Sequence, residues 1–191
     1  MRLPASCLAL LAALAGCGSE DNTVISGLPG VIISPVRSSI STRATFTDAN
    51  GVQHPQWVVV LTDVPDLCAK VTAHADYFRT PIENFDAILL WVPTGNIGTF
   101  FVGQSFNGSE VNVEVLVGIG PAGGAAARLV RFPGVAGFNA NIGLSQFDAV
   151  PGGEARGNFD VLLADQNGGA REMFGKFKAT YCAGAEQAQL P

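Results

Sequence analysis

A strict alternation of apolar and polar residues near the C-terminus is the feature that most constrains how this 191-residue chain can fold. Over residues 154–164 apolar side chains and glycines occupy every second position, and residues 171–181 repeat the pattern. Successive side chains of a strand point to opposite faces, so this period of two predicts strands with one buried and one exposed face. Turn-forming residues at 151–153 and 165–169 separate these strands and an earlier one over residues 139–147. The pattern therefore predicts an antiparallel meander.

Two of these strands carry a repeated Gly-x-Phe pattern. Gly157-Asn158-Phe159 lies in one strand and Gly175-Lys176-Phe177 in the next. A glycine on the inner face of a strand leaves space that a neighbouring aromatic ring can occupy. We therefore expect each glycine to accommodate a ring or a bend.

The other elements are predicted from apolar runs between turn signals. The run over residues 85–92 is almost continuously apolar, which is typical of a strand buried on both faces. Asn50-Gly51 and Asn107-Gly108 predict hairpin turns, because a type I′ turn needs positive φ at both central residues. One helix is predicted over residues 65–74, with Asp63 as its N-terminal cap. The expected fold is all-β, an antiparallel β-sandwich or barrel of about 8–10 strands with one short helix. The remaining predicted strands cover residues 40–47, 56–62, 97–104, 111–117 and 126–132.

The N-terminus carries a short apolar segment that ends at a cysteine. Arg2 is its single basic residue, residues 8–14 are apolar, and Leu14-Ala15-Gly16-Cys17 is followed at once by polar residues. The apolar run is too short to span a bilayer as a helix and has the layout of a cleaved signal peptide. Leu14-Ala15-Gly16-Cys17 resembles the lipobox of bacterial lipoproteins. The resemblance implies cleavage before Cys17, a diacylglyceryl group on its sulfur and acylation of its new N-terminus. The alternative is an ordinary secretory signal with an incidental cysteine.

The lipobox resemblance implies how the chain is divided and where it resides. Residues 1–16 are expected to be a removed signal peptide, 17–29 the lipidated cysteine and a tether, 30–182 the β domain, and 183–191 a flexible tail. Several acyl chains anchor a protein stably, whereas a single chain is marginal. By the family's sorting rule, Gly18 and Ser19 in place of an aspartate favour the outer membrane. We therefore expect a protein of the bacterial cell envelope, with the lipid bilayer as its partner through acylated Cys17.

The cysteine content predicts a covalent staple in the domain. Of four cysteines, Cys7 is expected to leave with the signal, and the lipobox resemblance assigns Cys17 to the lipid. Cys68 and Cys182 remain as an even pair, which predicts a disulfide in an oxidising compartment. A metal site is one alternative, although two cysteines without nearby histidines do not complete tetrahedral ligation. Two free buried thiols are the other.

The charge balance does not favour a nucleic-acid partner. Removing Arg2 with the signal leaves 10 basic residues against 16 acidic ones, a net charge of −6, and no basic cluster in the sequence. Only 14% of the residues are charged, against roughly 25% in an average protein. With 23 glycines and 48% hydrophobic residues, the composition indicates a β-rich extracytoplasmic domain with many tight turns.

Three glycine or aspartate segments resemble ligand-binding motifs and are better explained as loops. Residues 118–123 match the dinucleotide-binding fingerprint, but the space before Pro133 is too short for the crossover helix that such a site needs. Residues 48–51 and 165–168 resemble the opening of a calcium loop, without the closing glutamate and the third side-chain ligand. Turn chemistry explains both, because aspartate binds its own backbone and Asn-Gly accepts a left-handed conformation. No cofactor or metal is expected.

Catalytic residues are not predicted either. His54 and His74 are the two histidines, and no Gly-x-Ser-x-Gly motif accompanies them. Asp63 and Asp66 could be imagined as an acid and base pair, but their spacing around Pro65 is typical of helix capping. Aromatic residues are usually core residues in β domains, although they could also line a ligand cavity. These aromatic residues are Trp57, Trp91, Phe100, Phe101, Phe106 and Phe132.

Motifs in the domain carry a second resemblance. Asp66-Leu67-Cys68 after an apolar strand, Gly98-Thr99-Phe100, and the closing segments 157–161 and 175–182 are similar to those of uncharacterised lipoproteins of predatory and myxobacterial bacteria. In that set a Gly-x-Phe-Asp strand, a glycine-containing turn and a Gly-x-Phe-x-Ala-x-x-Cys strand end the domain. Residues 171–174 depart from the small, polar turn exit usual there. The resemblance supports a β fold and the disulfide, and it implies no activity.

The sequence therefore predicts a lipid-anchored extracytoplasmic envelope protein, a non-catalytic structural or binding module. The first alternative is a lipocalin-like carrier of a small hydrophobic ligand, which requires a closed barrel with an empty apolar cavity. The second is an extracytoplasmic hydrolase, which requires a polar cluster around His54 or His74.

Overall fold

The fold is built almost entirely of strands. A computed structural model describes residues 22–47, 50–106, 108–137 and 139–190. These residues form twelve strands, one α-helix, α1 (Leu67–Ala73), and a 3₁₀ helix (Ala183–Gln187). The strands are β1 (Thr23–Ser26), β2 (Ser38–Thr47), β3 (Gln53–Thr62), β4 (Phe85–Pro93), β5 (Gly98–Phe101), β6 (Ser105–Phe106), β7 (Ser109–Glu110), β8 (Asn112–Ile119), β9 (Arg128–Pro133), β10 (Asn141–Phe147), β11 (Glu154–Ala164) and β12 (Ala170–Tyr181).

Ten of these strands form one mixed sheet that folds into two facing layers. The strand order is β5-β10-β11-β12-β2-β3-β4-β8-β9, and β1 pairs with β12 beside β2. The first layer contains β5, β10, β11, β12 and β1, and the second contains β2, β3, β4, β8 and β9. The layers meet at a corner where β12 and β2 pair over two residues in parallel. The architecture is therefore all-β and sandwich-like, as the sequence predicts.

One feature of the predicted fold is corrected, and the choice between sandwich and barrel is decided. The parallel pairing of Thr180 with Ile40 and of Tyr181 with Ser41 makes the sheet mixed, whereas a purely antiparallel sheet was predicted. The sheet also has two end strands, β5 and β9, and is not closed into a barrel. A single bridge from Gly134 to Leu163 connects the end of β9 to β11. Turn signals alone do not decide between an open and a closed sheet, because both use the same hairpins.

Apolar side chains fill the space between the layers and a second space behind β3 and β4. Residues 87–90 of β4 are each at most 1% exposed, which confirms a strand buried on both faces. Alternate residues of β4 enter the two cores because their side chains point to opposite faces. The core between the layers includes Val59, Leu61, Ile88, Leu90, Val113, Val115, Phe159, Val161, Met173 and Phe177. The core behind β3 and β4 includes Val58, Val60, Leu67, Val71, Tyr77, Phe78, Phe85 and Leu89.

The predicted meander is present over β10, β11 and β12. These strands pair antiparallel along their length, and the inner residues of β11 are buried as the alternation predicts. Gly157 pairs with Phe177, and Phe159 pairs with Gly175. A Cβ placed on Gly175 would lie 2.9 Å from Phe159 Cζ, and one on Gly157 would lie 2.7 Å from Phe177 Cζ. Each glycine therefore makes room for the ring on the opposite strand, which confirms the expectation for the Gly-x-Phe pattern.

The hairpin predicted around Asn107-Gly108 is only partly correct. A short hairpin of β6 and β7 surrounds this turn, whose residue 107 lies outside the described residues. The longer strands expected to flank it do not pair with each other, because β5 pairs with β10 while β8 pairs with β4 and β9. The hairpin of β2 and β3 is present, with Thr47 paired to Gln53.

The helix begins one residue after Asp66 and is capped differently from the prediction. Asp66 is the N-cap residue in a left-handed conformation, with φ of 57°, and its side chain makes no cap hydrogen bond. The Leu67 backbone N–H instead donates to the Ser38 hydroxyl at 3.2 Å. Asp63, predicted as the cap, accepts a hydrogen bond from the Asp86 backbone N–H at 2.8 Å. The cap comes from β2 because tertiary packing places Ser38 at the start of the helix.

Both predicted boundaries of the domain move outward. Residues 23–26, predicted as part of a tether, form strand β1, and Val24 and Leu28 are buried in the core between the layers. The tail predicted as flexible forms the 3₁₀ helix, in which Ala185 is buried, and the Gln189 backbone N–H donates to the Ala75 carbonyl at 2.6 Å. In the part of the chain that the structure describes, no helix is long and apolar enough to span a membrane.

Candidate functional site

The segment that carries Cys17 lies outside the described residues, and the described chain starts at Asn22. Asn22 is held at the corner where β1, β2 and β12 meet. The Lys178 backbone N–H donates to Asn22 Oδ1 at 2.8 Å, and Asn22 Nδ2 donates to the Ser39 hydroxyl at 3.1 Å. The Ser39 hydroxyl in turn donates to the Lys178 carbonyl at 2.8 Å. The position at which the N-terminal segment joins the domain is therefore defined by side-chain hydrogen bonds.

Cys68 and Cys182 form the predicted disulfide. Their Cα atoms are 5.7 Å apart, and 114 residues separate them along the chain. The bond joins the first turn of α1 to the residue that follows β12. It therefore connects the helix to the end of the meander. Because both sulfurs are in the disulfide, the two alternatives, a metal site and free thiols, do not apply.

The two histidines occupy different parts of the fold. His54 lies in β3 opposite Phe46, and a Cβ placed on Gly108 would be 2.1 Å from the His54 ring. The His54 ring therefore packs over the glycine of the short hairpin. His74 follows α1 as its C-cap residue, and its backbone N–H donates to the Lys70 carbonyl. Neither arrangement brings the histidines together with Asp63, whose carboxylate binds the backbone of β4.

Two of the three glycine and aspartate segments, residues 118–123 and 165–168, form turns, as predicted. Residues 118–123 belong to the hairpin of β8 and β9, with Gly123 and Gly124 at positive φ. In the turn before β12 the Asp165 Oδ1 atom accepts hydrogen bonds from the Asn167 and Gly169 backbone N–H groups at 2.9 and 2.7 Å. These bonds, together with Arg171, lower the pKa of Asp165. Within the described ranges no group of three or more metal-ligating side chains is present. Residues 48 and 49 lie outside the described residues.

The aromatic residues considered as a ligand lining do not share one cavity. Trp57 stacks on Phe147, with ring centroids 4.4 Å apart, and Phe100 contacts Phe106 edge to face. Trp91 packs against the second core, on the other side of the sheet from Trp57. Phe132 is buried in the core between the layers. Trp57, Phe100, Phe106 and Phe132 therefore contribute to the core between the layers, and Trp91 contributes to the other core.

One ion pair, between a buried carboxylate and a half-exposed arginine, was not predicted from the sequence. Glu114 of β8 is 5% exposed and accepts two hydrogen bonds from the Arg131 guanidinium of β9. The guanidinium and the carboxylate match in shape, so both oxygens of the buried carboxylate are satisfied. The position of Glu114 between Val113 and Val115 suggested an exposed residue, since alternation alone does not show that β8 is covered on both sides.

The outer face of the meander carries a surface depression. It has a volume of about 320 Å³ and lies over β10, β11 and β12. The side chains that point outward from β12 include Glu172, Phe174, Lys176 and Lys178, and Ile25 of β1 lies directly opposite Phe174. We call the surface formed by Ile25, Phe174, Lys176, Lys178 and Arg156 the β12 face. The residues that line the depression are Ser145, Arg156, Gly157, Asn158, Lys176, Phe177 and Lys178.

One residue of this face departs from the alternation of β12. Phe174 occupies a position of β12 at which the alternation predicts a polar residue, and it is 41% exposed. Ile25, which lies in the predicted tether, is 55% exposed. Because Ile25 lies opposite Phe174, the two residues form a small exposed apolar patch.

Both tyrosines of the chain have a raised pKa in the folded domain. Burial raises the pKa of Tyr77, and its hydroxyl donates to Glu83 Oε1 at 3.0 Å, which raises the pKa further. Burial also raises the pKa of Tyr181 to about 12, with an added contribution from its hydrogen bond to Glu186. Each phenol therefore stays protonated at a pH at which a free tyrosine is ionised.

We expect the stability of the domain to fall as the pH rises from about 10 to about 12. In this window the unfolded chain has lost the protons of both phenols while the native state retains them, so the native state binds more protons and stability decreases with pH. Phenolate absorbance measured during a pH titration of the native protein tests this. A titration in denaturant serves as the control, with half-ionisation near pH 10 expected. Equal titration curves in the two conditions would contradict the prediction.

In comparisons with known proteins, no family model, curated protein or solved structure matches this chain.

Proposed function

We propose that this protein is a lipid-anchored extracytoplasmic protein of the bacterial envelope, whose β domain is a non-catalytic structural or binding module. The observation that carries the proposal is the short distance between the lipobox-like cysteine and the packed domain. Cys17 precedes Asn22 by five residues, and Asn22 is the residue that is hydrogen bonded at the corner of the sheet. A modified Cys17 would therefore hold the domain directly at a membrane surface.

The disulfide supports an extracytoplasmic location. Disulfides form and persist in the periplasm and outside the cell, and they are rare in the reducing cytosol. Cys68 and Cys182 form such a bond between α1 and the end of β12. A signal peptide and a structural disulfide are consistent with the same compartment. Gly18 and Ser19 after the cysteine favour the outer membrane within it.

A binding or structural role is proposed ahead of catalysis because the candidate catalytic groups have packing and turn functions. Asp63 binds the backbone of β4, and His74 is the C-cap residue of α1. His54 packs on Gly108. We do not propose the lipocalin-like carrier, because the sheet is open and Phe159, Phe177 and their neighbours occupy the space between the layers.

Replacing Cys17 by alanine tests the anchor. We expect the Cys17→Ala protein to lose incorporation of a labelled palmitate and to lose association with the membrane fraction, because the sulfur that takes the diacylglyceryl group is gone. Metabolic labelling followed by immunoprecipitation measures the first effect, and detergent phase partitioning measures the second.

Cys7→Ala is the matched control, since Cys7 belongs to the segment that is removed. It should be labelled like the natural protein. Label retained in the Cys17→Ala protein, or lost in both variants, would contradict the proposed site of acylation.

A further inference from the structure

The β12 face combines exposed apolar and basic side chains at one place. Ile25 and Phe174 face each other across β1 and β12 and are 55% and 41% exposed. Lys176 is the next residue of β12 on the same face, and it lies opposite Thr23. Exposed aromatic and aliphatic residues beside basic ones are typical of surfaces that contact the headgroup region of a membrane.

Basic residues are concentrated at one end of this face, although the protein as a whole is acidic. Lys178 follows Lys176 on the outer face of β12 and lies opposite Arg156 of β11. Glu154 forms ion pairs with both Arg156 and Lys178. Glu154, Arg156, Lys176 and Lys178 together carry three positive charges and one negative charge, so their net charge is positive. The other carboxylates on this side, Asp160 and Glu172, lie toward the opposite end of the strands, beside and beyond Phe174. The basic end is therefore the end next to Asn22.

The length of the N-terminal segment brings this face close to the anchor. The five residues from Cys17 to Asn22 reach at most about 18 Å when fully extended. Asn22 is bonded to the Lys178 backbone on the edge of β12, so the anchor point and the β12 face are adjacent. A short link of this kind raises the effective concentration of the neighbouring face at the membrane.

We propose that the β12 face lies against the membrane that holds Cys17, with Phe174 and Ile25 in the headgroup region and Lys176, Lys178 and Arg156 on lipid phosphates. This inference rests on the proposed lipid anchor. Its occupant is an anionic phospholipid surface. The apolar side chains insert while the long basic side chains keep their charges among the phosphates. The opposite layer of the sandwich then faces away from the membrane.

Tryptophan placed at two matched positions tests the orientation. Phe174 and Phe46 are each 41% exposed, and Phe46 lies near the end of β2 remote from β12. The Phe174→Trp and Phe46→Trp variants of the lipidated protein are reconstituted into phosphatidylglycerol and phosphatidylethanolamine vesicles whose acyl chains carry bromine, a quencher of tryptophan. We expect a larger loss of fluorescence and a blue shift for Phe174→Trp than for Phe46→Trp. Equal quenching at the two positions, or stronger quenching at position 46, would overturn the orientation.

A charge reversal in the Phe174→Trp protein tests the basic part of the face. Lys176→Glu is expected to reduce the quenching at position 174 on anionic vesicles, because it places a carboxylate among the phosphates. Arg128→Glu on β9 makes the same change at another exposed arginine and should leave the quenching unchanged. If Lys176→Glu has no larger effect than Arg128→Glu, the basic contact is wrong.

The fraction of protein that co-floats with the vesicles separates the two proposals. Protein that is not acylated and does not incorporate contradicts the anchor. Protein that incorporates fully but shows no preference for position 174 contradicts only the orientation. Near-ultraviolet circular dichroism verifies that each variant retains the packed fold.

Discussion

Replacing both Cys68 and Cys182 by alanine should lower the free energy of unfolding by about 4–5 kcal/mol. The bond closes a segment of more than a hundred residues, so its loss restores a large conformational freedom to the unfolded chain. It also releases α1 from the end of β12. Denaturant unfolding followed by tryptophan fluorescence measures the effect.

The reductant provides the matched control for this prediction. Dithiothreitol should destabilise the natural protein by a similar amount and should have no effect on the Cys68→Ala/Cys182→Ala protein. An unchanged unfolding midpoint after reduction of the natural protein would contradict the assigned role. Because domains are stable by only about 5–15 kcal/mol, the expected loss is a large part of the total. We therefore expect efficient folding only where the disulfide can form.

The second large loss of stability is expected where phenylalanine rings pack over glycines inside the meander. Phe159→Ala should cost about 3–5 kcal/mol of stability, because it removes a large buried side chain and leaves a cavity over Gly175. Phe159 is 1% exposed, and its ring lies against the position where Gly175 has no side chain. Urea unfolding of the purified variant measures the loss.

Phe174→Ala is the matched control because it removes the same side chain from the other face. Phe174 lies on the neighbouring strand, opposite Asp160, and is 41% exposed. A substitution at such a surface position usually changes stability by no more than about 0.5 kcal/mol. Similar losses for Phe159→Ala and Phe174→Ala would show that the two faces of the meander are not distinguished as the structure describes.

Local patterns predicted the meander well because they depend on neighbours in sequence. The bounds of β11 and the pairing of β10, β11 and β12 follow from alternation interrupted by short turns. The Gly-x-Phe pattern predicted the ring and glycine contacts for the same reason, since paired strands joined by a short turn keep a fixed register. The buried character of β4 followed from its continuous apolar run.

The errors concern contacts between distant segments. The sequence predicts a tether where strand β1 lies, because a four-residue strand shows no clear alternation. Its partner, β12, follows about 150 residues later in the chain. The cap of α1 comes from Ser38, and the C-terminal segment packs near Ala75. A hairpin was expected between the segments that flank Asn107-Gly108, but both pair with other strands. In each case the segment pairs or packs with a part of the chain that is distant in sequence.

The sequence by itself determined the β-rich class, the phase of the main strands, the turns, the pair of cysteines left for a disulfide, and the lipobox-like segment that motivates the proposed anchor. These depend on residue type and on spacing along the chain. The tertiary structure alone decided which strands are neighbours, that the buried Glu114 carboxylate is paired with Arg131, and that Ile25 joins Phe174 beside Lys176. Alternation shows which side chains share a face of one strand, but the neighbour of that face depends on packing between residues far apart in sequence. The β12 face was therefore visible only after folding had brought β1 to β12.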